Sequence, residues 1–315
     1  MNRFFLLIFL FLGTITIAQT KNPAFRIVPL GVKGGIDEGN LSAYMVAPEH
    51  SDNYVCLDAG TLHDGIEKAI ANKIFAIPAE QVLRGYIKGY LISHAHFDHL
   101  AGLIINSPDD TSKNIYALAD CIETFQTHYF TWKSWANFGD AGDAPQLKKY
   151  HYVTLAPDSE TRIANTEMMV KAFPLSHSNL TSTAFLVRSG DSYVLYLGDT
   201  GPDEVEKSHD LEGLWKAVGP LIREKKLKAI MIEVSFPDEQ PDKLLFGHLT
   251  PRWLMKELHE LEKITGTGLL AGFDVIITHG KPPQSSIERI KKQLAAENDL
   301  QLRLIYPRQG QALDL

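Results

Sequence analysis

The chain has 315 residues, 44% of them hydrophobic and 22% charged, with a formal net charge of −7. That length can bury a sizeable core, and the acidic balance argues against a sequence-independent grip on nucleic acid, where clustered Lys and Arg must replace the counterions of many phosphates. Two cysteines, Cys56 and Cys121, are too few for a disulfide framework, and both read as buried thiols.

The first segment carries Arg3, then the apolar run FFLLIFLFLGTITIA, then polar residues from Gln19. This is the pattern of a secretory signal peptide, with Thr16 and Ala18 as the small residues before a cleavage point. Cleavage is expected after Ala18, leaving residues 19–315 as one domain that is exported to the periplasm or secreted. No cysteine follows the run to take a lipid, and no later stretch has the length and apolarity of a membrane span, so no membrane anchor is expected.

Short β-rich runs come next, FRIVPLG, SAYMVAP and YVCLDAG, each bounded by Gly, Pro, Asn or Asp. Helical patterns follow in HDGIEKAIANK and AEQVLRGYI, and the apolar strand GYLIS runs up to His94. The loop from Asn137 to Gln146, rich in Gly, Asp and Ala, is expected to be the most mobile segment. A hairpin is spelled out by TAFLVR, a Ser-Gly-Asp turn and YVLYLGD. Strand and helix then alternate through KAIMIEVSF, PRWLMKELHELEK, DVIITHG, SSIERIKKQLAAE and LRLIYP. The pattern predicts two half-sheets, each faced by helices.

The segment SHAHFDHLAGL crowds His94, His96, Asp98 and His99 where a strand gives way to a helix. Side chains two apart in extended backbone project to one side, so His94 and His96 can share an ion. Asp98 and His99, at the helix start, can face a second. Four such groups this close would repel or desolvate one another without a cation to join them. His177 in FPLSHSN, Asp199 in YLGDT and His279 in VIITHGK each stand where an apolar strand breaks into a polar loop, which is where functional groups collect on a rigid scaffold.

The run HAHFDH resembles the HxHxDH signature of the metallo-β-lactamase superfamily, and His177, Asp199 and His279 follow in the order of its remaining ligands. The resemblance implies a four-layer αββα sandwich, two mixed sheets flanked by helices. It also implies two divalent metal ions: His94, His96 and His177 on one, Asp98, His99 and His279 on the other, with Asp199 bridging. Imidazole and carboxylate without thiolate suit zinc, and manganese or iron would also fit. Asp58 in LDAGT resembles the aspartate that orients a ligand histidine from behind. More narrowly, HAHFDHLAGLIINSP, STAFLVRSGDSYVLYLGDTGPD and ITHGKP resemble the class II 3′,5′-cyclic-nucleotide phosphodiesterases, although Phe97 stands where leucine is usual and Gly280 where an aliphatic residue is expected.

That resemblance implies a small cyclic nucleotide, cyclic AMP or cyclic GMP, opened to the 5′-nucleotide, with no nucleic-acid polymer as partner and the oligomeric state left open. Metal ions can activate water and neutralise charge, but protonating the departing oxygen needs another group. Glu233 in IEVSF and His248 in FGHLTP resemble the Glu and His pair of the tRNA 3′-processing endonuclease RNase Z, which implies His248 as general acid held by Glu233. Asp98 is expected to help position the nucleophile, and Lys281 to touch the phosphate. The aromatic run HYFTWKSWANF reads as core in preference to a wall for the base. An RNase Z-like enzyme, a lactonase or a β-lactamase would share the metal ligands; a binding module would be expected to lack some of them.

Overall fold

A computed structural model describes residues 24–315, so the expected signal segment lies outside the described residues. Among the described residues, fourteen strands form two sheets. The first has the order β14 (Leu313–Asp314), β1 (Phe25–Gly31), β2 (Ala43–Pro48), β3 (Tyr54–Leu57), β4 (Ile87–Leu91), β5 (Lys113–Ala117) and β6 (Tyr150–Thr154). The second runs β13 (Arg303–Ile305), β12 (Asp274–Thr278), β11 (Leu227–Glu233), β10 (Ser192–Leu197), β9 (Leu180–Ser189), β8 (Met169–His177) and β7 (Glu160–Arg162). Both are mixed: β1–β2–β3 pair antiparallel while β3 to β6 are parallel, and β8–β9–β10 are antiparallel while β10 to β13 are parallel.

Strand β2 shows why the sheets stack. Tyr44 and Val46 point between the sheets, where they pack with Phe185, Val187 and Met231, whereas Ala43, Met45 and Ala47 point outward. A strand apolar on both faces must be covered on both. The outer face of the first sheet is covered by α1 (His63–Ala71), a short α2 (Ala79–Gln81), α3 (Phe97–Asn106) and α4 (Ala119–Thr124). After α5 (Asp203–Glu206), helices α6 (Asp210–Arg223), α7 (Pro251–Thr265) and α8 (Gln284–Glu297) cover the second. The result is the expected αββα sandwich. Each fully buried Leu, Ile or Phe contributes about 1.5–3 kcal/mol, so three buried apolar layers hold the sheets at a fixed separation.

Some local readings change. The segment AEQVLRGYI is only partly α-helical: Val82–Tyr86 form a π-helical turn before β4 begins at Ile87. Strand β4 ends at Leu91, so His94 stands on the loop beyond it. The loop after Asn137 is pinned, because the buried Asn137 amide donates to the carbonyls of Ala141 and Asp143 while its oxygen accepts from Gly139 N–H. The aromatic run divides: Phe130 and Phe138 are core, but Trp132 and Trp135 are partly exposed. Both cysteines are free and buried, as expected. No helix among the described residues is long and apolar enough to cross a membrane.

Candidate active site

The two sheets each send loops to one edge of the sandwich. His94 and His96 lie between β4 and α3, with His96 capping the helix, and Asp98 and His99 occupy its first turn. From the second sheet, His177 ends β8, Asp199 follows β10 and His279 follows β12. Single ligand atoms of His94, His96, His177 and Asp199 lie within 4.8 Å of one another, and so do those of Asp98, His99 and His279. These are the two sets expected from the sequence. Asp199 faces both: its Oδ2 is 3.9 Å from the Nε2 of His94 and of His177, 3.3 Å from that of His99 and 3.4 Å from that of His279.

The outward nitrogen of each buried ring is tethered. His177 Nδ1–H donates to Gly247 O at 2.7 Å and His99 Nδ1–H to Asp58 Oδ2 at 2.8 Å. Ser93 N–H and Oγ–H both donate to Asp58, which leaves the Ser93 oxygen to accept from His94 Nδ1–H at 3.0 Å. In the same way Ser235 Oγ–H donates to Glu233 and its oxygen accepts from His279 Nδ1–H at 3.0 Å. With Nδ1 occupied, each Nε2 is turned into the site. There His99 and His279 bring Nε2 atoms to 3.1 Å, His177 Nε2 comes to 3.2 Å from His96 Nδ1, and His94 Nε2 is buried without a hydrogen-bond partner. Inward lone pairs fixed from behind are the arrangement of metal-ligating histidines, so the donor set fits divalent ions.

The electrostatics agree for His94, His96 and His177. Burial, reinforced by neighbouring imidazoles, pushes the His94 pKa well below the usual histidine range, and burial lowers His96 and brings His177 to about 4, so all three stay neutral with lone pairs free. Asp199 and Asp98 are held well below the ordinary carboxylate range, because the surrounding imidazoles outweigh a burial that alone would raise them. His99 goes the other way: burial opposes its charge, but Asp199 and Asp58 on either side raise it well above its usual value.

Backbone strain helps aim the groups. His279 and Asp58 adopt left-handed backbone, φ 55° and 52°, costly for a residue with a Cβ and common where a side chain must be directed. His279 N–H is held by Val32 O at 3.0 Å, and Gly34 packs so close that a Cβ there would stand 2.1 Å from His279 Cε1.

Glu233 and His248 form a second unit beside the ligands. His248 Nδ1–H donates to Glu233 Oε1 at 2.7 Å, and Glu233 also accepts from Thr200 N–H and from Ser235. Burial would depress the His248 pKa, but the carboxylates of Glu233 and Asp199 overcome it and hold the ring above its usual value. His248 Nδ1 is 3.7 Å from Asp199 Oδ2, close enough to form a third cluster with Asp199 and His279 that the sequence did not suggest. Lys281 Nζ lies 2.7 Å from His248 Nε2 and over the Phe236 ring. Sequence reasoning missed Ser93, Ser235, Tyr196, whose hydroxyl donates to Asp58 at 2.5 Å, and the Gly247 carbonyl. A lone serine, tyrosine or glycine carries no spacing signal. Only adjacency to His94 and to Glu233 marked the two serines.

The profile of the family described as cAMP phosphodiesterases class-II matches residues 24–310. Among curated proteins, the chain is 46% identical over 310 residues to a 3′,5′-cyclic-nucleotide phosphodiesterase of Aliivibrio fischeri, covering 94% of each. It is 29% identical over 297 residues to the protein of that name from Schizosaccharomyces pombe, covering 84% of each. Among solved structures, unliganded yeast PDE1 superposes with a TM-score of 0.81 at 22% identity, over 93% of this chain and 100% of that one. The metallo-β-lactamase fold protein YhfI of Bacillus subtilis gives 0.60 at 17%, over 92% and 98%. The fold is therefore that of the metallo-β-lactamases, and the chain belongs to the class II cAMP phosphodiesterase family, as a cyclic-nucleotide phosphodiesterase.

Proposed function

We propose that the mature chain, residues 19–315 acting as one exported domain, hydrolyses cyclic AMP, cyclic GMP or both to the 5′-nucleotide with two divalent ions, best matched by zinc. The reading is carried by one observation: a hydrogen-bonded Glu233–His248 pair stands against seven inward-facing ligands drawn from both sheets. His94, His96 and His177 would hold one ion, Asp98, His99 and His279 the other, and Asp199 both. Bound there, the ions would neutralise phosphate charge and acidify water to serve as nucleophile near neutral pH.

The remaining work falls to this chain's own side chains. Glu233 fixes the His248 ring through its donated Nδ1–H and leaves Nε2 facing Lys281. A proton on Nε2 can pass to the departing 3′ oxygen, and the neighbouring Glu233 and Asp199 carboxylates favour the protonated ring. Lys281 occupies the same nitrogen at 2.7 Å. Two cations cannot share one hydrogen bond, so Lys281 must move off when Nε2 is protonated, and a phosphate oxygen offers it a partner. Asp98, whose Oδ2 accepts from Gly35 N–H at 2.9 Å, would help orient the nucleophile.

If His248 is the acid, His248→Ala should keep metal and product binding while turnover falls by about 10²–10⁴. A phosphodiester with a far better leaving group should escape most of that loss, and equal losses on both substrates would remove the role. Export is supported by the Arg3-led apolar run and the Thr16 to Gln19 junction. Mass spectrometry of protein from its native cell should find Gln19 or a neighbour as N-terminus; an intact Met1 on the active protein would overturn it.

A further inference from the structure

Three large apolar side chains next to the ligand cluster face solvent instead of the core: Phe97 is 57% exposed, Ile36 83% and Ile105 62%. They line one cleft of about 600 Å3 between the loop after β1 and helix α3, together with Leu41 and Ala101. Asp98, one of the candidate ligands, is part of its lining, so the cleft borders the ligand cluster, and Glu38, His63 and Asn106 add polar groups to that lining. Phe97 is held in place. Its ring lies 6.1 Å from that of Tyr129 at 36°, and Tyr129 is itself fixed by donating its hydroxyl to Ala95 O at 2.7 Å and by resting on the buried Phe125.

Exposed apolar surface costs free energy, and a rigid patch of it inside a cleft marks a ligand site. We propose that this cleft receives the nucleobase, with Phe97 as stacking platform, Ile36 and Ile105 as apolar walls, and the polar rim facing the base edge. The proposal rests on the cyclic-nucleotide reading above. A cyclic nucleotide has an anionic end and a flat end whose faces are apolar and whose edge is polar. The ligand cluster takes the first, and the adjoining cleft has the complementary surface for the second. Base stacking on aromatic rings tolerates any base, so the platform supplies affinity and the rim supplies preference.

The test compares two ligands by calorimetry on the metal-containing protein: 5′-AMP and ribose 5-phosphate, which lacks the base. The parent should bind 5′-AMP more tightly. Phe97→Ala should weaken 5′-AMP roughly five- to thirtyfold, in the range of one stacked base, while moving ribose 5-phosphate less than twofold, and Phe97→Tyr should keep the affinity for 5′-AMP. Because Phe97 is more than half exposed, its truncation leaves no core cavity. Equal weakening of both ligands, or a parent that does not distinguish them, would overturn the assignment. So would a loss specific to 5′-AMP in Phe246→Ala but not in Phe97→Ala, since Phe246 is exposed outside this cleft, next to Gly247, which packs on His177. A parent that turns over no cyclic nucleotide would refute the functional reading separately, and the binding comparison would still decide the cleft.

Discussion

Residues around the ligands matter as much as the ligands. Asp58 is wholly buried and accepts from His99, from Ser93 twice and from Tyr196, so one carboxylate fixes two of the imidazoles, one directly and one through Ser93. Gly34 acts by absence, since its missing Cβ is the space the His279 ring fills. Gly34→Ala should therefore displace His279 and weaken the set it forms with Asp98 and His99. Elemental analysis after dialysis should show metal content dropping by about one equivalent from two, with His94, His96 and His177 still occupied. Unchanged stoichiometry with unchanged affinity would show that the ring has room to move.

Elements were legible in proportion to their periodicity. The β9–β10 hairpin, the alternation from β11 to β13 and helices α7 and α8 follow their apolar patterns closely, because each buries one continuous face. The π-helical turns at Val82–Tyr86 and Phe125–Tyr129 were not legible, since five residues are too few for their wider turn to show as a change of apolar period. Nor was the pinning of the loop after Asn137, which depends on one amide whose partners are backbone carbonyls. The seven candidate ligands were legible because four of them crowd one short segment and the rest end apolar strands. The serines that fix them were not.

Between helices, Glu257 of α7 is a buried acid with a consequence for pH. It accepts from Asp203 N–H at 3.1 Å and from Trp215 Nε1–H at 3.3 Å, both of which favour its charge, yet burial dominates and lifts its pKa from 4.5 to about 7. The unfolded chain releases this proton near 4.5 while the folded chain keeps it to about 7. The contribution to stability is thus complete below 4.5 and is lost as pH rises through about 7. Glu257→Gln, isosteric and permanently neutral, should flatten that part of the profile. Thermal melts at pH 5 and pH 8 should show the parent losing more on going to pH 8 than the variant; parallel losses would contradict the assignment.

At the scale of the whole molecule, the site exists only where the two sheets meet. The segment His94 to His99 belongs to the first sheet and its helix, whereas His177, Asp199 and His279 hang from three strands of the second. Tyr44 and Tyr196, from opposite sheets, pack at 5.8 Å in the layer between them, and Tyr196 reaches Asp58 across that layer. The geometry of the ligands is therefore set by the packing of the sandwich as much as by local sequence. Glu233 ends β11, and His248, the proposed general acid, lies on the loop before α7, so both stand on the second sheet's side of the site. The reaction is decided by separating the nucleotides formed when cyclic AMP is incubated with the purified protein. 5′-AMP should be the sole nucleotide product, abolished by exhaustive chelation and restored by zinc; release of 3′-AMP, or turnover that survives removal of all metal, would rule out the proposed metal-dependent cleavage.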